Sequence, residues 1–245
     1  MNKFIESPNL PGGRVETVLL GNHLNVIEKI EKIGINCLVF DDNNLIDISV
    51  KNHGDMAACY MGQGKIFVDR KQDKVIAQLR KMGMEVHIPN WEAIGEYPND
   101  VVLNCAVFGE NMIYSKKGTA KEIVDMGQNK RLFAVKQGYC RCSVCPIDEN
   151  AIITDDIGIY GAVKDFIDVL LIEKGDIILN EKDYGFIGGA TGKINKDTLL
   201  FFGDIETHRN SVQIKRFLEE HGVNYVNLFA GNLVDIGGII PITIK

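Results

Sequence analysis

The feature that most constrains the fold is an order of elements that recurs along the chain. Residues 56–61 and 65–69 are apolar runs joined by Gly62, Gln63 and Gly64, a hairpin signal. An amphipathic stretch follows at 73–82, with Asp73 as its expected N-cap and Gly83 just past its end, and then an apolar run at 84–88. The same order returns three times. Residues 100–108 turn at Gly109 into 112–115, with a helix at 120–126 and a strand at 132–135. A cysteine-bearing strand turns at Asp148 into 152–154, before a helix at 157–166 and a strand at 169–172. Residues 184–194 turn at Asn195 into 198–202, before a helix at 211–220, closed by Gly222, and a strand at 225–228. The turns begin at 62, 109, 148 and 195, spacings of 47, 39 and 47 residues, and a period in this range marks an array or a closed ring.

The two ends of the chain complete the pattern. Residues 15–20, 26–33 and 36–40 read as strand, helix and strand, with Val26, Ile27, Ile30 and Ile33 on one helical face and Gly34 as its terminator. They lack a first strand, and the run at 234–242 lacks a partner downstream. Joined, they make a fifth unit and remove the exposed sheet edges of an open array. The expected organisation is one domain over 1–245, in units of roughly 53–90, 99–136, 138–180, 183–230, and 15–45 with 232–245. Residues 1–13, polar and rich in Pro and Gly, are expected to form a loose arm or edge loop. Paired hairpin strands argue against an open parallel sheet with a nucleotide crevice.

Composition narrows the function. A net charge of −6 and a pI near 5.4 weigh against nucleic acid or an anionic membrane as partner. No window approaches the ~18 apolar residues of a membrane span. The N-terminal residues lack the apolar core of a signal peptide, so the six cysteines are expected as reduced thiols in the cytoplasm.

Three of those cysteines, Cys140, Cys142 and Cys145, fall within six positions at the start of the third unit's first strand. Strand alternation would put Cys140 and Cys142 on one face and Cys145 on the other. Three thiols so close could also hold a metal, although no second Cys/His pair at finger spacing accompanies them. Two acidic motifs stand elsewhere, His53-Gly54-Asp55 and Asp235-Ile236-Gly237-Gly238. Gly188, Gly189 and Gly192 could cradle a phosphate, but lack the Lys-Ser/Thr of a P-loop and read more simply as close packing. Asp204 and His208 read as a loop with a helix cap, and Cys37, Cys59 and Cys105 as core.

Five strand–strand–helix–strand units closing on themselves resemble the pentein fold, a five-bladed α/β propeller whose last blade is here closed by the N-terminus. That superfamily contains the guanidine-modifying hydrolases and amidinotransferases and a non-catalytic ribosome anti-association factor. His53-Gly54-Asp55 looks like the enzymes' His-x-Asp motif, in which His is the general acid/base and Asp binds the guanidinium. The enzymes' nucleophilic Cys follows a glycine run in the last unit, and Pro241 stands at that place here. Counted around a ring, however, Asp235 lies one unit before His53 and Cys142 two units after it. The 89 residues from His53 to Cys142 are close to the 86 between the turns at 62 and 148. A looser similarity, through Gly138, Tyr139, Cys142 and the glycine motifs, is to an uncharacterised clostridial-type branch.

The resemblance implies a Cys-dependent hydrolase or transferase acting on a small cationic guanidine or amidine, without cofactor or metal. Cys142 would be the nucleophile, its pKa lowered by His53 and by Lys136 or Arg141. His53 would move the proton, Asp55 and Asp235 would hold the guanidinium, and Asn104 and Ser143 would add polar contacts. Two other readings stay open: a catalytically silent ring that docks on a larger partner, and a sensor that binds a small cation.

Overall fold

The computed structural model describes residues 3–245. Four sheets share one topology. In the first of them Ala58–Gly62 pairs antiparallel with Lys65–Val68, the helix Asp73–Lys81 crosses over, and Glu85–His87 returns parallel to Lys65–Val68. The same order recurs in Ala106–Phe108, Asn111–Ser115 and Arg131–Val135. It recurs again in Val144–Asp148, Ala151–Thr154 and Asp168–Leu171, and in Thr191–Asn195, Thr198–Phe201 and Asn224–Asn227. The fifth sheet draws on both ends of the chain, with Ile240–Ile244 antiparallel to Val15–Leu20 and Asn36–Val39 parallel to it.

Buried side chains join these sheets in series. Leu19 and Ile242 pack with Tyr60 and Ile66, Cys59 and Phe67 with Val107 and Met112, and Phe108 and Ile113 with Val144 and Ile152. Ile147 and Ile153 pack with Leu199 and Phe201, while Leu200 and Phe202 pack with Val18 and Leu20 of the fifth sheet. Each inward-facing apolar set is thus covered by the next sheet, which is how three-stranded sheets too small to be stable alone become so. Among the described residues no helix is long and apolar enough to cross a membrane.

Several expectations are corrected. The arm is not loose: Lys3–Phe4 pairs with Ile244 and Thr243, Ile5 is buried, and Asn9 donates to the Val107 carbonyl. Residues 1 and 2 lie outside the described residues. Asp73 is not a cap; Gln72 occupies the N-cap position and its amide bonds both backbone groups of Asp41. The last strand begins at Ile240 rather than 234, because Gly237 and Gly238 take positive φ of 76° and 64° and turn the chain. Leu233–Val234 instead pairs parallel with Ile177–Ile178.

The leading strand of each unit also starts late. Residues 100–105 are buried turn, not strand, and Gly54–Ala57 is a single helical turn before Ala58–Gly62. Cys140 and Cys142 likewise lie in a turn ahead of Val144–Asp148, so they do not alternate along a strand. These apolar runs read as strands in sequence, but each carries polar groups that bond the neighbouring turn instead of a ladder.

Candidate active site

The leading turns meet one another, and the polar side chains they carry form one buried group. His53 stands at the N-cap of Gly54–Ala57 with its side chain 1% exposed, and Gly54 lets that turn lie close to Leu20. Asp55 follows inside the turn, buried. Its Oδ2 accepts the thiol of Cys142 at 2.9 Å. Asn104 bridges three turns: its Nδ2 donates to Cys142 Sγ at 3.2 Å and to the Asp55 carbonyl at 3.3 Å, and its Oδ1 accepts the Arg141 N–H at 2.7 Å. Asp235 Oδ1 lies 3.7 Å from His53 Nδ1 and accepts the Gly237 N–H, while its Oδ2 accepts the Phe186 N–H at 2.9 Å.

The glycine pair explains itself by this packing. A Cβ on Gly189 would sit 1.8 Å from Asp235 Oδ1, and one on Gly188 would sit 2.3 Å from the Arg141 and Val144 carbonyls. The Gly189 N–H is already taken by the Cys142 carbonyl, so the run is a close-packed corner rather than a phosphate cradle. Arg141 is spent on structure, its guanidinium donating to Asn9 Oδ1 and to the carbonyls of Val144, Gly188 and Ile239.

A cavity of about 230 Å³ opens onto this group, with Cys142 and Asp235 in its lining. Tyr139, Phe186, Tyr184, Leu179 and Val50 form much of its wall. The Tyr139 hydroxyl donates to Asp100 Oδ2 at 2.6 Å, which turns the ring rather than the OH toward the cavity.

Burial governs the protonation states. It lowers the His53 pKa in spite of Asp55 and the Asp235 backbone, so the imidazole is neutral at rest. It raises both Asp55 and Asp235 to about 6. The Cys142 thiol is pushed well up, first by burial and then by the charges of Asp55 and Asp235; only the Asn104 bond pulls the other way. The expected lowering by His53, Lys136 or Arg141 is therefore corrected: a neutral His and two nearby carboxylates favour the thiol, not the thiolate.

The structure brings His53, Asp55, Asn104, Cys142 and Asp235 together and leaves two expected residues aside. Lys136 is exposed, because Val135 before it faces inward, and it enters the structure through its carbonyl, which accepts the Tyr97 hydroxyl. Ser143 is buried with its Oγ unpartnered, while its carbonyl accepts from Thr154. The three clustered cysteines part ways: Cys140 donates to the Gln137 carbonyl, Cys142 to Asp55, and Cys145 packs in an apolar cluster. Among the described residues the set able to hold a metal is instead His53, Asp55 and Cys142, whose ligand atoms lie within 4.8 Å of one another. Asp204 caps a short 3₁₀ helix and His208 Nδ1 accepts from Asn210. Tyr139, Phe186 and Asp100 went unread as site residues; the signal available was their position inside leading turns beside Cys142, Gly188 and Asn104.

The polypeptide has the pentein fold of guanidine-modifying enzymes. It superposes on an inosamine-phosphate amidinotransferase from Streptomyces griseus with TM-score 0.56 and 12% identity, covering 94% of this chain and 92% of that one. It superposes on C. jejuni agmatine deiminase with TM-score 0.58 and 11% identity, covering 99% and 97%. A Pseudomonas aeruginosa DDAH, a cysteine-to-serine mutant complexed with citrulline, gives 0.54 and 7% identity over 92% and 96%. No curated protein matches the sequence. Residues 21–240 match a family described as "Family of unknown function (DUF6873)", and the chain belongs to it.

Proposed function

We propose that this protein is a Cys-dependent hydrolase or transferase of a small guanidine or amidine. The observation that carries the reading is the convergence of Cys142, His53 and Asp55 within 4.8 Å, with Asp235 beside His53 and the thiol facing a cavity. In this reading the five sheets are the blades of one ring, closed where Ile240–Ile244 meets Val15–Leu20, and the leading turns surround its centre. The chain is then a circular permutation of the usual order, with the nucleophile two blades after His53 instead of in the last blade, which accounts for Pro241. Six free thiols, five of them buried, suit the cytoplasm.

The resting protonation pattern suits a cationic substrate. A guanidinium seated between Asp55 and Asp235 would hold both as carboxylates and offset the two charges that keep Cys142 protonated. Cys142 would then attack the central carbon while neutral His53 takes the thiol proton. Collapse of the tetrahedral adduct would expel ammonia or the substituted amine, protonated by His53, and leave an amidino group on sulfur. Water activated by His53 would release a urea or ureido product; an acceptor amine in its place would make the protein a transferase. Affinity for the cation should fall as pH drops through about 6, where Asp55 and Asp235 take up protons.

The test is a panel of guanidines and amidines scored for amine release, with acid-quenched intact mass for the adduct on Cys142. Turnover and an adduct lost in Cys142→Ser are expected. Absence of both across the panel would reject the enzyme. The elevated Cys142 thiol favours a second reading, a silent cation sensor, and calorimetric binding of a guanidine that shows neither turnover nor adduct would select it.

A further inference from the structure

Cys59 and Cys105 take no part in the candidate site, yet their sulfurs lie 3.1 Å apart, one from the first unit and one from the second. Both are buried in the apolar cluster that joins those two sheets. Cys59 sits in Ala58–Gly62 opposite Phe67. Cys105 closes the turn ahead of Ala106–Phe108, with its N–H on the Leu103 carbonyl. Other buried thiols donate to oxygen, Cys140 to the Gln137 carbonyl and Cys142 to Asp55. Among the described residues, Cys59 and Cys105 have only sulfur as a partner: each other, and Met61 Sδ at 3.7 Å from Cys59.

The spacing suits a bond between the two sulfurs better than a shared metal. Two thiolates on one tetrahedral zinc, at ~2.3 Å each, stand roughly 3.8 Å apart, so these two would have to separate. A disulfide needs ~2.05 Å, a closure of about 1 Å from the 3.1 Å seen. That closure falls to the side chains, because hydrogen bonds tie both backbones. The Cys59 contact and burial push the Cys105 thiol up, so the pair rests reduced and resists large or charged reagents. Only a small, uncharged oxidant suits it.

We infer that Cys59 and Cys105 are a redox pair, which a small peroxide converts into a disulfide linking the first and second units beside the candidate site. One sulfur attacks a peroxide oxygen, and the O–O bond breaks to leave a sulfenic acid and one water. The second sulfur then displaces the hydroxyl, which departs with the remaining thiol proton as a second water, and the S–S bond forms. The thiols lose two electrons and two protons, and the peroxide is reduced to water. Disulfides in a reducing compartment are mostly transient or redox-sensing, which fits a pair held reduced at rest. The link also reaches the site. Cys59 lies four residues past Asp55 on one leading segment, and Cys105 adjoins Asn104 on the next. Asn104 Nδ2 donates to Cys142 Sγ and to the Asp55 carbonyl, so closing the pair shifts the side chain that bridges those segments.

The test treats native wild-type protein at pH 8 with excess hydrogen peroxide, then unfolds it, blocks free thiols with iodoacetamide and maps all six cysteines by mass. A linked Cys59–Cys105 peptide, lighter by two hydrogens and returned to two thiols by dithiothreitol, is expected. Cys59→Ala and Cys105→Ala, each checked for a cooperative melt, should both abolish it. Free thiols at 59 and 105 after treatment, oxidation there that stops at sulfinic acid, or a link to a different cysteine would overturn the inference. In linked protein whose Cys142 is still free, native alkylation of Cys142 should change by on the order of threefold or more. An unchanged rate would overturn the coupling through Asn104 and leave the link. None of these readouts depends on turnover of a guanidine, so the pair and the proposed reaction stand or fall separately.

Discussion

His53 and His221 each stand between two carboxylates, yet the molecule uses the two arrangements differently. His221 follows the helix Ser211–Glu220 and reaches Asp148 Oδ2 at 2.7 Å through Nδ1 and Asp168 Oδ2 at 3.1 Å through Nε2. Each ring nitrogen thus faces its own carboxylate, at the C-terminal end of that helix. Its side chain is 18% exposed and Asp168 is 62% exposed, so water reaches all three groups. At His53 the carboxylates are Asp55 and Asp235, the latter 3.7 Å away, and all three side chains are buried from solvent. There the cost of burying charge outweighs the attraction, the imidazole stays neutral, and the carboxylates rise to about 6. The same grouping of a His with two acids is a solvated clasp when wet and, when dry, a neutral ring beside carboxylates of raised pKa.

The widest separation between the two should appear in turnover. His53→Ala is expected to cut kcat on a responsive guanidine by about 10²–10⁴, the usual contribution of a positioned acid/base, and His221→Ala to leave it within about twofold. Equal losses would mean that His53 is no proton carrier. The next effect is on stability. Asp55 titrates at about 6 in the folded chain against an ordinary 3.8, so the folded state holds the proton more tightly. That preference stabilises the fold fully below the ordinary value and is lost as pH rises through about 6, leaving the ionised group a standing cost. Asp55→Asn should thus raise stability at pH 8 by on the order of 2–3 kcal/mol, with no gain near pH 3, in urea titrations. A loss at pH 8 would show that the Cys142 contact outweighs the burial cost.

A smaller effect is expected in thiol reactivity. Cys142 is held up first by burial and then by Asp55 and Asp235, so Asp235→Asn should speed its alkylation by a small uncharged reagent at pH 8 by about tenfold. An unchanged rate would assign the slow reaction to access alone.

This is also where the sequence was least legible. The order of strands and helices could be read because glycine turns and amphipathic periods are local. His53, Asp55, Cys142 and Asp235 could be brought together by counting repeats. Two things could not be read. One was where the leading strands begin, since Val101, Val102 and Leu103 are as apolar and buried as any strand. The bonds that hold such runs as turns, Asn104 to Arg141 and Gly189 to Cys142, come from the neighbouring unit. The other was the sign of the thiol's shift. Spacing lists the neighbours of Cys142, but burial decides whether His53 is a charge or a neutral ring.

The smallest effect belongs to the wet clasp, and it bears most directly on the comparison. His221 ties the helix of one sheet to Asp148 and Asp168 of the preceding one, a link that solvent and ions can weaken. Exposed pairs of this kind contribute about 0.2–1 kcal/mol each, and screening at about 1 M salt reduces them. His221→Ala should therefore lower stability by about 1 kcal/mol in dilute buffer and by less at high salt, measured as a shift in urea midpoint with unchanged slope. Its ring also packs on Phe217 with centroids 4.6 Å apart, so a residual loss that salt does not remove belongs to that contact. A loss of several kcal/mol, indifferent to salt, would mean that the clasp is as dry as His53, and the contrast between the two histidines would have to be sought in something other than water.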